Sequence, residues 1–137
     1  MIFRKFIESD SEQILRILSQ VWEIECIEKN ILKDFFKNDN QIYVIENNDS
    51  IIACATLHIQ KKLIHNGCKA GFLEEVVVVE EFRGIGVGEF LIKELIRISK
   101  EIGCYKLVLS CYPNRINFYE KCGFKKECTN MRIDIKN

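Results

Sequence analysis

The chain has 137 residues, 47% hydrophobic and 29% charged, which is enough for one domain with its own core. Its 20 basic and 20 acidic residues balance, so nothing in the charge points to nucleic acid or an anionic membrane as partner. No run approaches the roughly 18 apolar residues of a membrane-spanning helix, and Met1–Phe6 lacks the apolar core of a secretory signal, so a cytoplasmic protein is expected.

In chain order, residues 2–6 read as a short strand. Ser9 followed by Glu12 has the spacing of a capping box, and Ile14, Leu15, Leu18, Val21 and Trp22 recur at helical spacing. An amphipathic helix is therefore expected over 10–22, with a second short helix within 23–38. Residues 41–46 and 51–60 read as two strands joined at Asn47-Asn48-Asp49-Ser50, a hairpin. After a turn at His65-Asn66-Gly67, residues 71–79 read as a strand, and the run of Val76, Val77, Val78 and Val79 suits a position covered on both faces.

Apolar side chains at 87, 91, 95, 98 and 102 make one helical stripe that Gly103 terminates. A strand over 105–111 follows, parallel to the previous one if the crossover is right-handed. A short helix over 114–122 and a last strand over 125–135 complete the order β-α-α-β-β-β-α-β-α-β. With no linker or repeat, residues 1–137 read as a single mixed-sheet domain.

Seven cysteines, at 26, 54, 68, 104, 111, 122 and 128, are odd in number and form no C-x-x-C pair. Neither a disulfide framework nor a metal site is expected; they read as reduced thiols packed as small hydrophobes.

The chemistry-bearing feature is Arg83-Gly84-Ile85-Gly86-Val87-Gly88, between the valine strand and the long helix. Glycines let a ligand approach bare backbone, and the helix adds unpaired N–H groups at the positive end of its dipole. That combination suits a diphosphate. The spacing G-x-G-x-G is not the dinucleotide fingerprint G-x-G-x-x-G, and no Gly-Lys-Ser or Gly-Lys-Thr of a Walker loop is present.

Arg-x-x-Gly-x-Gly at this junction, with Phe118-Tyr119-Glu120-Lys121-Cys122-Gly123-Phe124 downstream, resembles the GNAT acetyltransferase superfamily. Within it, Lys62-Leu63-Ile64-His65-Asn66, Leu73-Glu74-Glu75-Val76-Val77-Val78 and Gly103-Cys104-Tyr105-Lys106-Leu107-Val108-Leu109-Ser110-Cys111 resemble the glucosamine-6-phosphate N-acetyltransferases. The matching motifs lie within about residues 55–131.

The resemblance implies the GNAT fold, an α+β (mixed α/β) architecture with a mostly antiparallel sheet of six to seven strands and about four helices. It implies acetyl-CoA as co-substrate, held by the backbone of Val77, Val78 and Val79, by Arg83, Gly84, Ile85, Gly86, Val87 and Gly88, and by Asn114 and Tyr119. It implies an amino-sugar acceptor, glucosamine 6-phosphate or a relative, bound by Lys62, His65, Glu74, Glu75, Ser110 and Arg132. It also implies a homodimer that shares its substrate sites.

Four positions depart from the family pattern. Ser110 stands where an acidic residue is usual, Glu75 where Asp is usual, Arg115 where an asparagine commonly lies, and Asp134 where an arginine helps bind phosphate. Arg132, two residues away, shares a strand face with that position.

An amine must be neutral to attack a thioester, so a base or a desolvated site is required. Glu74 and Glu75 are the candidates; strand alternation predicts that they face opposite sides of the sheet. Glu75 is assigned as base or amine-orienting group. A backbone N–H near Val77 or Val78 is the expected oxyanion donor, and Tyr119 resembles the family's tyrosine beside the sulfur, hence the general acid. Cys122 has no activating partner in sequence, so direct transfer in a ternary complex is expected. The alternatives are a different acceptor (a polyamine, an aminoglycoside or a protein N-terminus) or a CoA-binding module without turnover.

Overall fold

A computed structural model of the protein describes residues 1–24, 29–36 and 40–136, the side chains of 29, 30, 32 and 36 excepted. Its strands are β1 (Ile2–Lys5), β2 (Gln41–Asn47), β3 (Ser50–Lys61), β4 (Lys69–Val78) and β5 (Cys104–Leu109). Its helices are α1 (Ser11–Leu18), α2 (Lys29–Phe36), α3 (Val87–Ile102) and α4 (Ile116–Lys121). The strands form one sheet in the order β1-β2-β3-β4-β5. The first four are antiparallel neighbours, and β5 runs parallel to β4, as a helical crossover through α3 requires.

The β2–β3 hairpin closes through Asn48 and Asp49 at φ 48 and 64. Asn and Asp tolerate that left-handed backbone, and such turns match the strand twist. Helix α3 lays Val87, Leu91, Ile92 and Leu95 on the face carrying Tyr43, Ile45, Ala53, Ala55, Leu57 and Leu73. Each valine, leucine or isoleucine among them contributes about 1.5–3 kcal/mol relative to exposure. The opposite face carries Ile42, Val44, Cys54 and Val77 beneath Ile14 and Ile17 of α1. Both faces being covered accounts for the apolar run ending β4.

Two expectations need correction. The sheet of the described residues has five strands, not six to seven, because residues 125–136 join no ladder. A period-2 pattern makes a strand only where it pairs with an edge, and residues 125–136 pair with none among the described residues. Helix α1 stops at Leu18 rather than 22: Val21 and Trp22 both return their N–H groups to Leu18 O in a closing turn. The second short helix stands within its expected range, at Lys29–Phe36; residues 25–28 and 37–38 of that range, Cys26 among them, lie outside the described residues.

The N-terminal cap also differs from the Ser9–Glu12 reading. Asp10 does the work: its carboxylate accepts the Ile7 N–H at 2.8 Å and a two-pronged bond from Arg4 at 2.7 and 3.0 Å. Arg4 Nε also reaches Glu46 at 3.1 Å, so β1, the first turn and β2 share one ion cluster. Asp10 is only 4% exposed, and Arg4 holds its carboxyl below the usual carboxylate range. Asp10→Asn is expected to destabilise the fold by about 2 kcal/mol, the scale for breaking a buried charge-assisted pair. A folded-state pKa below the unfolded value gives stability present above roughly pH 4 and lost as pH falls through the folded value. The gap between the urea midpoints of wild type and variant should therefore shrink as pH falls from neutral toward that lowered value; a gap unchanged through the whole acid limb would remove the charge from the account.

Candidate active site

Beyond Leu73, paired with Leu109, β4 and β5 have no further ladder pairs. β4 continues to Val78 on the β3 side, so its far side opens as a backbone cleft. Val79 N–H bonds Ile52 O in the β3 direction at 2.9 Å. By alternation the groups of Val78 face the open side, where Arg83 Nε donates to Val78 O at 2.8 Å. Arg83 thus ties the glycine loop to the strand end.

At Gly86 the backbone is left-handed, φ 91, and an added Cβ would meet no atom within 4 Å. A side chain is excluded there by backbone conformation and not by lack of room, leaving bare backbone against open space at the start of α3. Gly88 is required by close approach instead: a Cβ would lie 3.1 Å from Phe118 Cζ and 3.6 Å from Val78 Cγ2. The loop, the end of β4 and α4 therefore meet at one place. This arrangement fits a pyrophosphate on the loop and an extended chain along β4. Val87 enters only through its backbone, its side chain being buried in the core, whereas Ile85 is exposed. Gly86→Val should raise the KM for acetyl-CoA about 10-fold while lowering stability by only about 1–2 kcal/mol. Unchanged saturation kinetics would separate the loop from binding.

Tyr119 lies edge-on to Phe118 and Phe124, centroids 4.9 and 5.9 Å away. Burial, reinforced by nearby Cys111, raises its pKa, and Arg115 opposes only in part. The phenol therefore keeps its proton throughout the neutral range. Cys122 is packed in the core, where burial first and Glu89 second push its thiol up. A buried protonated thiol is a poor nucleophile. Asn114 is exposed on the 3-10 turn Pro113–Arg115 that leads into α4, and Ser110 is exposed just past β5.

The two carboxylates do not alternate. Register slips in the β3–β4 pairing between Cys54 and Thr56, and Glu75 takes a left-handed φ of 53. This β-bulge turns Glu75 so that Thr56 Oγ1 donates to its Oε2 at 2.8 Å. Glu74 Oε2 lies 3.3 Å from His58 Nε2. Thr56 and His58 are two apart on β3 and share a face, so both carboxylates serve that face. Thr56 and His58 were not singled out from sequence as site residues. The available signal was two polar residues at i, i+2 directly after the apolar run 51–55.

Of the remaining acceptor residues, His65 and Arg132 lie elsewhere. Lys62 sits over the Phe72 ring at 5.4 Å, and His65 packs on Tyr105 at 4.5 Å. Tyr105 belongs to the start of β5, level with Lys69 at the start of β4. Lys69 and Glu74 are about five strand residues apart, roughly 16 Å. Arg132 pairs with Asp134 at 2.6 Å within the exposed terminal segment. One copy of the chain thus brings together the loop, Val78, Arg83 and α4, and separately Glu74 with Glu75. It leaves His65 and Arg132 apart from them, whereas Lys62, over the Phe72 ring, lies beside a residue two strand positions from Glu74 on the same face.

Among the described residues no group of His, Cys, Asp and Glu could hold a metal, and no helix is long and apolar enough to cross a membrane.

The chain is similar to glucosamine 6-phosphate N-acetyltransferase of Candida albicans, 34% identical over 131 residues, 90% of this chain and 88% of that protein. It is 40% identical over 85 residues to glucosamine 6-phosphate N-acetyltransferase 1 of Dictyostelium discoideum, 62% of this chain and 54% of that protein. It thus spans about half the length of that second curated relative. The solved structure of glucosamine-6-phosphate N-acetyltransferase from Arabidopsis thaliana superposes with a TM-score of 0.89 at 30% identity, covering 98% of each chain. The profile of the acetyltransferase (GNAT) family matches residues 6–124. Family profile, opened strand and glycine loop agree, and the chain belongs to the acetyltransferase (GNAT) family.

Proposed function

We propose that this protein transfers the acetyl group of acetyl-CoA to the amine of an amino sugar, glucosamine 6-phosphate or a relative. The observation that carries the reading is the bulge at Glu75. It places two carboxylates on one face of β4, in the strand that also supplies the open backbone edge and leads into the glycine loop. The relatives named for glucosamine 6-phosphate support the acceptor.

Acetyl-CoA supplies the activated thioester; this chain's residues do the rest. Backbone N–H groups of the Gly84–Gly88 loop and the first turn of α3 hold the pyrophosphate. Val78, whose groups face away from β3, offers an N–H to the reacting carbonyl oxygen. Glu75, fixed by Thr56, orients the acceptor ammonium and takes its proton. Tyr119 donates its hydrogen to the sulfur as it leaves. Cys122, protonated and buried, has no part, so transfer is direct.

A homodimer in the cytoplasm belongs to the same proposal. The dimer is supported by apolar surface left open: Met131, Ile133 and Ile135 are 91%, 81% and 82% exposed at alternating positions, and β5 has β4 on one side only. A second copy would also join the separated parts, His65 on one side and Glu74 and Glu75 on the other. The free thiols of the six described cysteines support a reducing compartment.

Free-thiol release from acetyl-CoA over a panel of amines is the test. Release with glucosamine 6-phosphate above glucosamine, a polyamine or an aminoglycoside is the expected result. Release only with another amine would change the acceptor, and binding of CoA without release would leave a binding module.

A further inference from the structure

His58 is half-buried between α2, the residue just before β2, and β4. The Phe35 ring stands edge-on at 6.0 Å. Asn40 Oδ1 meets Nδ1, and Glu74 Oε2 lies 3.3 Å from Nε2. The Asn40 amide is itself oriented, because its Nδ2 donates to Phe35 O at 3.1 Å. Its oxygen must therefore face the ring, and Nδ1 must carry a hydrogen to donate to it. That leaves Nε2 as the ring atom that faces the Glu74 carboxylate, 3.3 Å from Oε2, where an N–H is the group a carboxylate oxygen accepts.

We infer that His58 is the positioning residue of Glu74, and that its Nε2–H, with the ring fixed by Asn40, holds the Glu74 carboxylate toward the acceptor site. The inference rests on the acetyl-transfer reading above and adds a residue to it. Glu74 is 63% exposed at its side chain and would otherwise sample several rotamers. Thr56 does the same for Glu75, so two neighbouring polar residues of β3 each anchor one carboxylate of β4.

The test uses the full chain with whichever amine the wild type turns over best. His58→Phe should lower kcat/KM for the acceptor about 10-fold, the scale for a misplaced reacting group, with the KM for acetyl-CoA unchanged within about twofold. His58→Gln, whose amide N–H can also reach Glu74, should recover most of that loss. In the Glu74→Gln background His58→Phe should have little additional effect. Acceptor kinetics of His58→Phe within twofold of wild type would overturn the inference. So would a parallel rise in the KM for acetyl-CoA that Gln does not rescue, since that marks a merely structural residue. Should the wild type turn over no amine, the acetyl-transfer reading fails, and the contact is still decided by nitrogen NMR of histidine-labelled protein. Glu74→Gln should then move the Nε2 resonance of His58 more than the Nδ1 resonance. No movement of Nε2 would overturn the assignment independently of activity.

Discussion

Tyr119→Phe should lower kcat at least about 100-fold, the lower end for loss of a general acid, with the KM for acetyl-CoA within about twofold of wild type. The substitution removes one oxygen and keeps the ring, so the edge-on contacts to Phe118 and Phe124 survive. A leaving thiolate has a conjugate-acid pKa near about 8.5, and its charge appears only as the C–S bond breaks. The lost hydrogen bond therefore belongs to the transition state, and kcat falls without a matching change in binding. Burial raises the Tyr119 pKa, so the group is protonated below its raised value and its donor function fails only as pH climbs through it. The wild-type rate should show no loss attributable to Tyr119 up to about pH 10, the unperturbed tyrosine value. Stopped-flow thiol release measures both quantities. Unchanged turnover in Tyr119→Phe would remove the tyrosine from the chemistry and leave it a packing residue.

Glu75→Gln is the second large effect. The amide keeps the size and leaves an oxygen for Thr56, so the bulge persists and stability should hold within about 0.5 kcal/mol. What is lost is the acceptor for the ammonium proton, and kcat/KM for the acceptor should fall about 100-fold near pH 7. The pH dependence identifies the cause. As pH rises, more of the acceptor amine is already neutral in solution, so the deficit should shrink steadily toward alkaline pH. A deficit constant across pH would make Glu75 a binding residue. No deficit at all would pass the role to Glu74. The left-handed backbone at Glu75 sharpens the prediction. A non-glycine residue held there costs about 1–2 kcal/mol, a strain consistent with a side chain aimed for function.

Much of the fold was legible in the sequence because the signals were local. The stripe from Val87 to Ile102 and its glycine stop mark α3 within a residue or two. Asn48 and Asp49 mark a hairpin turn because few other residues tolerate that backbone. The glycine loop was legible for the same reason, its conformation being a property of Gly86 itself. Where local signals competed, the reading slipped. Ser9 and Glu12 have the right spacing for a cap, but Arg4, brought alongside by the β1–β2 pairing, holds Asp10 in that role. The alternation at 131, 133 and 135 is a strand pattern, but a strand also needs an edge to join.

By itself, then, the sequence determined the cofactor half of this protein: a strand, a glycine turn and a helix in immediate succession, with Tyr119 in its own short motif. Those features depend on neighbours in the chain. Only the tertiary structure decided how the two carboxylates proposed for the acceptor are arranged. A one-residue slip between β3 and β4 turns Glu75 onto the face of Glu74, and pairing across the strands delivers Thr56 and His58 to them. The reason is physical. Side-chain direction in a strand follows the ladder it joins, and a bulge, which no local pattern announces, reverses the expected face.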